Sequence, residues 1–161
     1  EGDDAPGSER IRLCRATVRP EQGSEDQQIS MQEPFQVEVA YRVVVPDTVM
    51  HITLHFYNEQ GLVVFTSYSA AAPGWMLKPH ATGVYSCICH VPGHLMNSGY
   101  HTVTILVVEG GNRVTHQETA AIGFDVVDRA SREGGYMGRE PGMVQPRLTW
   151  DVQALTGGGV G

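Results

Sequence analysis

An antiparallel β-sandwich is the fold class this sequence predicts, and three observations carry the prediction. Apolar and polar residues alternate with a period of two through stretch after stretch. Glycine- and proline-bearing turns separate the stretches. No segment shows a 3.6-residue apolar repeat bounded by caps, so helices are not expected.

Taken in chain order, "EGDDAPGSER" (1–10) is polar and is expected to be a disordered linker. "IRLCRATV" (11–18) is the first strand, followed by a polar loop. "FQVEVAYRVVV" (35–45) puts Phe35, Val37, Val39, Tyr41 and Val43 on one face and Gln36, Glu38, Ala40 and Arg42 on the other. Pro46-Asp47 makes the turn. In "VMHITLHFYN" (49–58), Met50, Ile52, Leu54 and Phe56 point one way, while His51, Thr53, His55 and Tyr57 point the other. "NEQG" turns the chain into "LVVFTSYS" (62–69). A loop carrying Trp75 and the prolines that stop strand pairing comes next. "GVYSCICHVP" (83–92), "YHTVTILVVE" (100–109) and "THQETAAIGFDVVD" (115–128) complete seven strands, so the sandwich is expected over 11–128. Residues 129–141 read as a flexible arm, 142–152 as a final strand bearing Trp150, and 153–161 as a disordered tail.

Composition narrows the function. The chain of 161 residues is 41% hydrophobic and 18% charged, enough for one domain with a real core. A net charge of −7 argues against nonspecific nucleic-acid binding, which needs a basic surface, but allows a small anion in a local basic pocket. No signal peptide or membrane-length apolar run is visible. The chain starts at Glu1, so it is expected to be a piece of something longer. Three cysteines without framework spacing suggest a reducing, cytoplasmic compartment rather than a disulfide scaffold.

The densest chemistry lies in "YSCICHVPGH" (85–94). On a strand, Tyr85, Cys87, Cys89 and Val91 share the core-facing side, where free cysteine behaves as a small hydrophobe. Residues i and i+2 on a strand lie roughly 6.5–7 Å apart, too far for an unstrained disulfide. Zinc would need further ligands, and His90 points to the other face. The expectation is therefore no metal and no cofactor. Phosphate-loop, nucleophile-elbow, zincin, EF-hand and CxxC patterns are all missing from the sequence, so nothing in it argues for catalysis.

Binding candidates remain. His51 and His55 are roughly 13 Å apart on a strand, too far to share a metal. Their row with Thr53 and Tyr57 reads either as plain surface or as a ligand-facing sheet surface. Tyr68 and Trp75 offer aromatic planes of the kind on which sugar rings stack; Trp75 reads equally as a plug at one end of the sandwich. Arg42 is either a contact to an anionic group or ordinary surface charge.

From residue 31 onward the order of features resembles the C-terminal domain of Wzt, the ATP-binding subunit of O-antigen polysaccharide ABC transporters. The resemblance rests on "EPFQVEVAYRV", "HFYNEQGLVVFTSYS", "TGVYSCICHVPGHLMNSGYHTVTILV", "AAIGFDVVD" and "GMVQPRLTW", and covers roughly residues 10 to 152. It implies an immunoglobulin-like sandwich that binds carbohydrate without catalysis. The implied ligand is the capped non-reducing end of an O-polysaccharide. The implied partners are a fused nucleotide-binding domain, absent from this chain, and a membrane transport subunit, with the module in the cytoplasm at the inner membrane. It also implies a homodimer that exchanges the C-terminal strand, here Met143, Val144, Leu148 and Trp150. The rival readings are a structural dimerisation or regulatory sandwich that binds no glycan and a metal-dependent enzyme built on Cys87, Cys89 and the histidines.

Overall fold

The computed structural model describes residues 4–25, 28–130 and 139–155. Among them run nine strands: β1 (Ile11–Pro20), β2 (Ile29–Ser30), β3 (Phe35–Val43), β4 (Thr48–Tyr57), β5 (Val63–Tyr68), β6 (Pro79–His80), β7 (Gly83–Val91), β8 (Gly99–Glu109) and β9 (Arg113–Val127). One sheet has the order β1-β3-β7. The other has the order β2-β9-β8-β4-β5, with β6 bridged to the start of β4. The fold is an immunoglobulin-like antiparallel β-sandwich; only the two-residue β2 pairs in parallel, against the end of β9.

The alternating rows dictate which faces meet. From β3, Phe35, Val37, Val39, Tyr41 and Val43 are buried, and from β4 so are Met50, Ile52, Leu54 and Phe56. The inner row of β8, Val103, Ile105 and Val107, lies opposite the β4 row in register. Each large apolar side chain so buried contributes about 1.5–3 kcal/mol. Phe56 stacks on its register partner Phe65 within one sheet, at 4.3 Å, and Phe35 of β3 tilts against Phe124 of β9 at 5.4 Å, tying the two sheets together. On the outer row of β8, the central strand of its sheet, Thr102 and Thr104 are followed by Leu106 and Val108, and Thr104, Leu106 and Val108 are buried as well.

All seven expected strands form, with ends moved by a residue or two. β2 and β6 were not expected. The polar start is more ordered than a free linker: Leu13 N–H donates to Pro6 O at 2.7 Å and Ser8 N–H to Ile11 O at 2.9 Å, folding residues 6–10 back on β1. Residues 1–3, 131–138 of the expected arm and 156–161 of the expected tail lie outside the described residues.

The expected strand at 142–152 does not form within this chain. Its pairing is limited to a bridge between Met96 and Val144 and the Gln145 N–H bond to Leu95 O, 2.8 Å. Asn97, only 1% exposed, holds the segment from below: its Nδ2 donates to Glu140 O at 2.8 Å and Gly142 O at 2.6 Å. Beyond this anchor Leu148, Trp150 and Val152 are 69%, 82% and 92% exposed. A period of two continues there without a sheet edge to satisfy it.

Candidate functional site

The two sheets do not close along one side. β5 ends one sheet and β7 ends the other, and these edges do not pair. Between them lies a cleft of about 560 Å³ that reaches the core row of β3 and β4. The inward row of β7, Tyr85, Cys87 and Cys89, is consequently only half-buried and forms one wall. Ile52, Leu54 and Ser67 form the other.

Aromatic rings crowd the end of the cleft at the start of β7. Ala72-Pro73-Gly74-Trp75 is a type II turn: Trp75 N–H donates to Ala72 O at 3.1 Å, and Gly74 takes the positive φ of 83° that this turn requires. The turn sets the Trp75 ring 5.1 Å from His80 and edge-on to Tyr85 at 6.2 Å. Tyr85 stacks on Tyr41 at 5.6 Å, and Lys78 Nζ sits 4.5 Å over the indole. His80 is fixed at both nitrogens. Its Nδ1 donates to Lys78 O at 3.1 Å, so its Nε2 accepts from the Tyr41 hydroxyl at 3.2 Å. Tyr85 OH donates to Ala81 O at 2.8 Å.

The Lys78 ammonium over Trp75 is the charge set against the aromatic end of the cleft. The cleft lining contains no Asp, Glu, Lys or Arg. Burial lowers the pKa of His51 and of His80 from the ordinary histidine value, which favours the neutral rings. Burial pushes the Cys87 thiol up to about 12 and raises that of Cys89. Thiols shifted this way are poor nucleophiles and poor metal ligands. Among the described residues no group of three or more His, Cys, Asp and Glu is placed to hold a metal. Cys14 is exposed on β1, the far edge of its sheet from β7. No helix among the described residues is long and apolar enough to cross a membrane.

The candidates singled out by sequence fall into three groups. His51, Tyr68 and Trp75 border the cleft, and His51 and Tyr68 touch at 5.8 Å between ring centres. His55 and Tyr57 continue along the outer face of β4, 6.4 Å apart, away from the cleft lining. Arg42 lies on the outer face of the opposite sheet, between Arg12 of β1 and Val84 of β7 in register. The structure therefore does not gather Arg42 with the histidines. Sequence reasoning passed over His80 and counted Tyr85, Cys87 and Cys89 as core. A hint was present: an inward row on a strand flanked by long loops can belong to an edge.

Fold and cleft together define an immunoglobulin-like β-sandwich with an aromatic cleft between unpaired sheet edges. The chain matches the solved C-terminal domain of Wzt with a TM-score of 0.72, covering 95% of this chain and 90% of that one, at 9% identity. The shared property is the fold, and it is the fold that the sequence resemblance implied. A looser match, to the alkylpurine DNA glycosylase AlkC of Pseudomonas fluorescens bound to abasic-site DNA, covers 73% of this chain and 30% of that one at 11% identity, and its TM-score of 0.34 bears no argument. No protein-family model and no curated protein matches the chain.

Proposed function

We propose that this chain is a noncatalytic carbohydrate-binding module that reads the capped, non-reducing end of an O-antigen polysaccharide for export by an ABC transporter. The observation that carries the reading is the cleft between β5 and β7, where Trp75, Tyr85 and His80 form an aromatic end in an uncharged lining. A terminal sugar has an apolar C–H face that stacks on such rings, and hydroxyls that hydrogen-bond to neutral polar groups. Ser67, His51 and the Tyr68 hydroxyl supply those groups at the rim. His55 and Tyr57 take further sugar units along the outer face of β4. Arg42 takes no part in this site.

The fold likeness to the Wzt domain supports the rest of the reading. The module works in the cytoplasm at the inner membrane, joined to a nucleotide-binding domain and acting with a membrane transport subunit. Two copies pair by exchanging the segment that carries Met143, Val144, Leu148 and Trp150. Its exposed apolar residues from Leu148 onward support that exchange, as does the short reach of its pairing among the described residues, which stops at the Met96–Val144 bridge and the Gln145–Leu95 bond.

The test is calorimetric titration of the chain with O-polysaccharide of the source strain, intact and with its terminal cap removed. Binding of the capped form alone is expected. Trp75→Ala is expected to weaken it by about tenfold or more, as for a central aromatic anchor. His51→Ala should weaken binding more than His55→Ala, because only His51 borders the cleft. A folded dimer that binds neither form would leave a structural dimerisation domain as the function.

A further inference from the structure

Arg42, left aside by the cleft, points to a second site. The register of β1 and β3 sets Arg12 directly opposite Arg42 on the outer face of their sheet. Directly opposed side chains have Cβ atoms about 5 Å apart, and like charges in that position repel. Other arginines of the first strand and its approach have carboxylates: Arg10 meets Glu109 at 3.9 Å, Arg19 meets Glu38 at 3.6 Å, and Arg15 pairs with Glu25. Among the described residues neither Arg12 nor Arg42 has such a partner; Arg12 Nη1 reaches only the Ile11 carbonyl, at 3.4 Å. The chain carries 18 acidic residues against 11 basic ones, so a shortage of carboxylates does not explain this.

The surroundings leave room for a ligand. Next in the row on β7 stands Val84, 65% exposed, beside Gly83, which has open space where a Cβ would be. On the other side Arg12 borders a shallow hollow between the 5–10 turn and the β8–β9 hairpin, together with Arg10, Arg113, Ser8 and Thr115. Glu9 and Glu109 also border the hollow, and Glu109 is the partner of Arg10.

We infer that Arg12 and Arg42 form an oxyanion site whose ligand is a phosphate group, with Arg113 at its margin. Two adjacent guanidinium forks match the geometry of a phosphate and turn the repulsion between them into attraction for it. The site lies on the sheet opposite the His51–Tyr57 row, so it is independent of the glycan reading.

The experiment is NMR titration of the full chain with sodium phosphate and with glucose 1-phosphate, against sodium chloride at matched ionic strength. A saturable shift confined to the Arg12 and Arg42 side-chain Nε–H and nearby amides is expected with both phosphates. Arg42→Gln and Arg12→Gln are each expected to raise the Kd about tenfold, whereas Arg19→Gln, whose guanidinium already has Glu38, should not. In chloride alone Arg42→Gln should leave the thermal midpoint unchanged or raise it, because it relieves a repulsion. A linear, unsaturated response, equal losses in Arg19→Gln and Arg42→Gln, or a marked loss of stability in chloride on Arg42→Gln would each overturn the inference. Sedimentation with phosphatidylglycerol vesicles without saturable binding of either soluble phosphate would overturn it too, in favour of a membrane-facing surface.

Discussion

Asn97→Ala tests how the C-terminal segment is held. The side chain makes three hydrogen bonds: Nδ2 to Glu140 O at 2.8 Å, Nδ2 to Gly142 O at 2.6 Å, and Oδ1 accepting from Ser98 N–H at 2.8 Å. A net contribution of about 1 kcal/mol per bond sets the scale. Two of the three bonds reach the segment, so its docking should weaken by about 2 kcal/mol, and its opened fraction should rise about 30-fold. The freed carbonyls can be hydrated once the segment lifts. While the docked form still predominates, global stability should fall by about 3 kcal/mol, the same 2 kcal/mol plus about 1 for the Ser98 amide left without its acceptor. Native-state hydrogen exchange reads the first quantity at the Gln145 amide, which is bonded to Leu95 O at 2.8 Å; urea unfolding reads the second. Unchanged exchange at Gln145, with stability lost globally, would refute the latch and make Asn97 a core residue only.

Two further predictions rest on burial. His51, His80 and His101 all have folded pKa values lowered by burial, and the Nε2 of His101 has no partner among the described residues. Below the ordinary histidine value of about 6.5 the unfolded chain therefore binds more protons than the folded one. Stability should be full above that value and fall as the pH drops through it; urea midpoints that stay flat or rise between pH 7.5 and 5.5 would contradict this. With iodoacetamide at pH 8, Cys14 should alkylate first, Cys89 later and Cys87 last, because Cys14 is exposed while burial raises the other two thiols. Peptide mass spectrometry gives the order, and a Cys87 as fast as Cys14 would mean that the β7 wall is open to solvent.

The seven long strands were legible because a half-buried strand writes its two faces into every second residue. Met50, Ile52, Leu54 and Phe56 could hardly be placed otherwise. β2 and β6 were not legible, since two residues carry no period. Pro79 reads as a stop, and β6 is indeed only a bridge to Thr48 and Val49. The site was half legible. Trp75, Tyr68 and His51 stand out by residue type, but the cleft exists because β5 and β7 are edges, and strand order is not written in a period of two. The same limit applies to Arg42. Its outward face could be read, whereas its sheet, opposite that of the histidines, follows from pairing with β1 and β7.

The geometry of β7 separates the two activities proposed for the sandwich. Its first residues, near Tyr85, form the aromatic end of the cleft; after its last, Val91, the chain turns to Leu95, Met96 and Asn97, which hold the C-terminal segment. Eight steps of about 3.3 Å put these ends roughly 26 Å apart. A strand exchanged from 142–152 thus leaves the chain at the end of β7 farthest from the Trp75 cluster. If it paired along the whole free edge of β7 it would cover the half-buried Cys87 and Cys89 and compete with a ligand in the cleft. If it paired elsewhere, both thiols would stay open in the dimer. Alkylation of Cys89 in dimer and monomer therefore distinguishes the two arrangements: protection in the dimer places the exchanged strand on β7, and equal rates leave the cleft free for sugar.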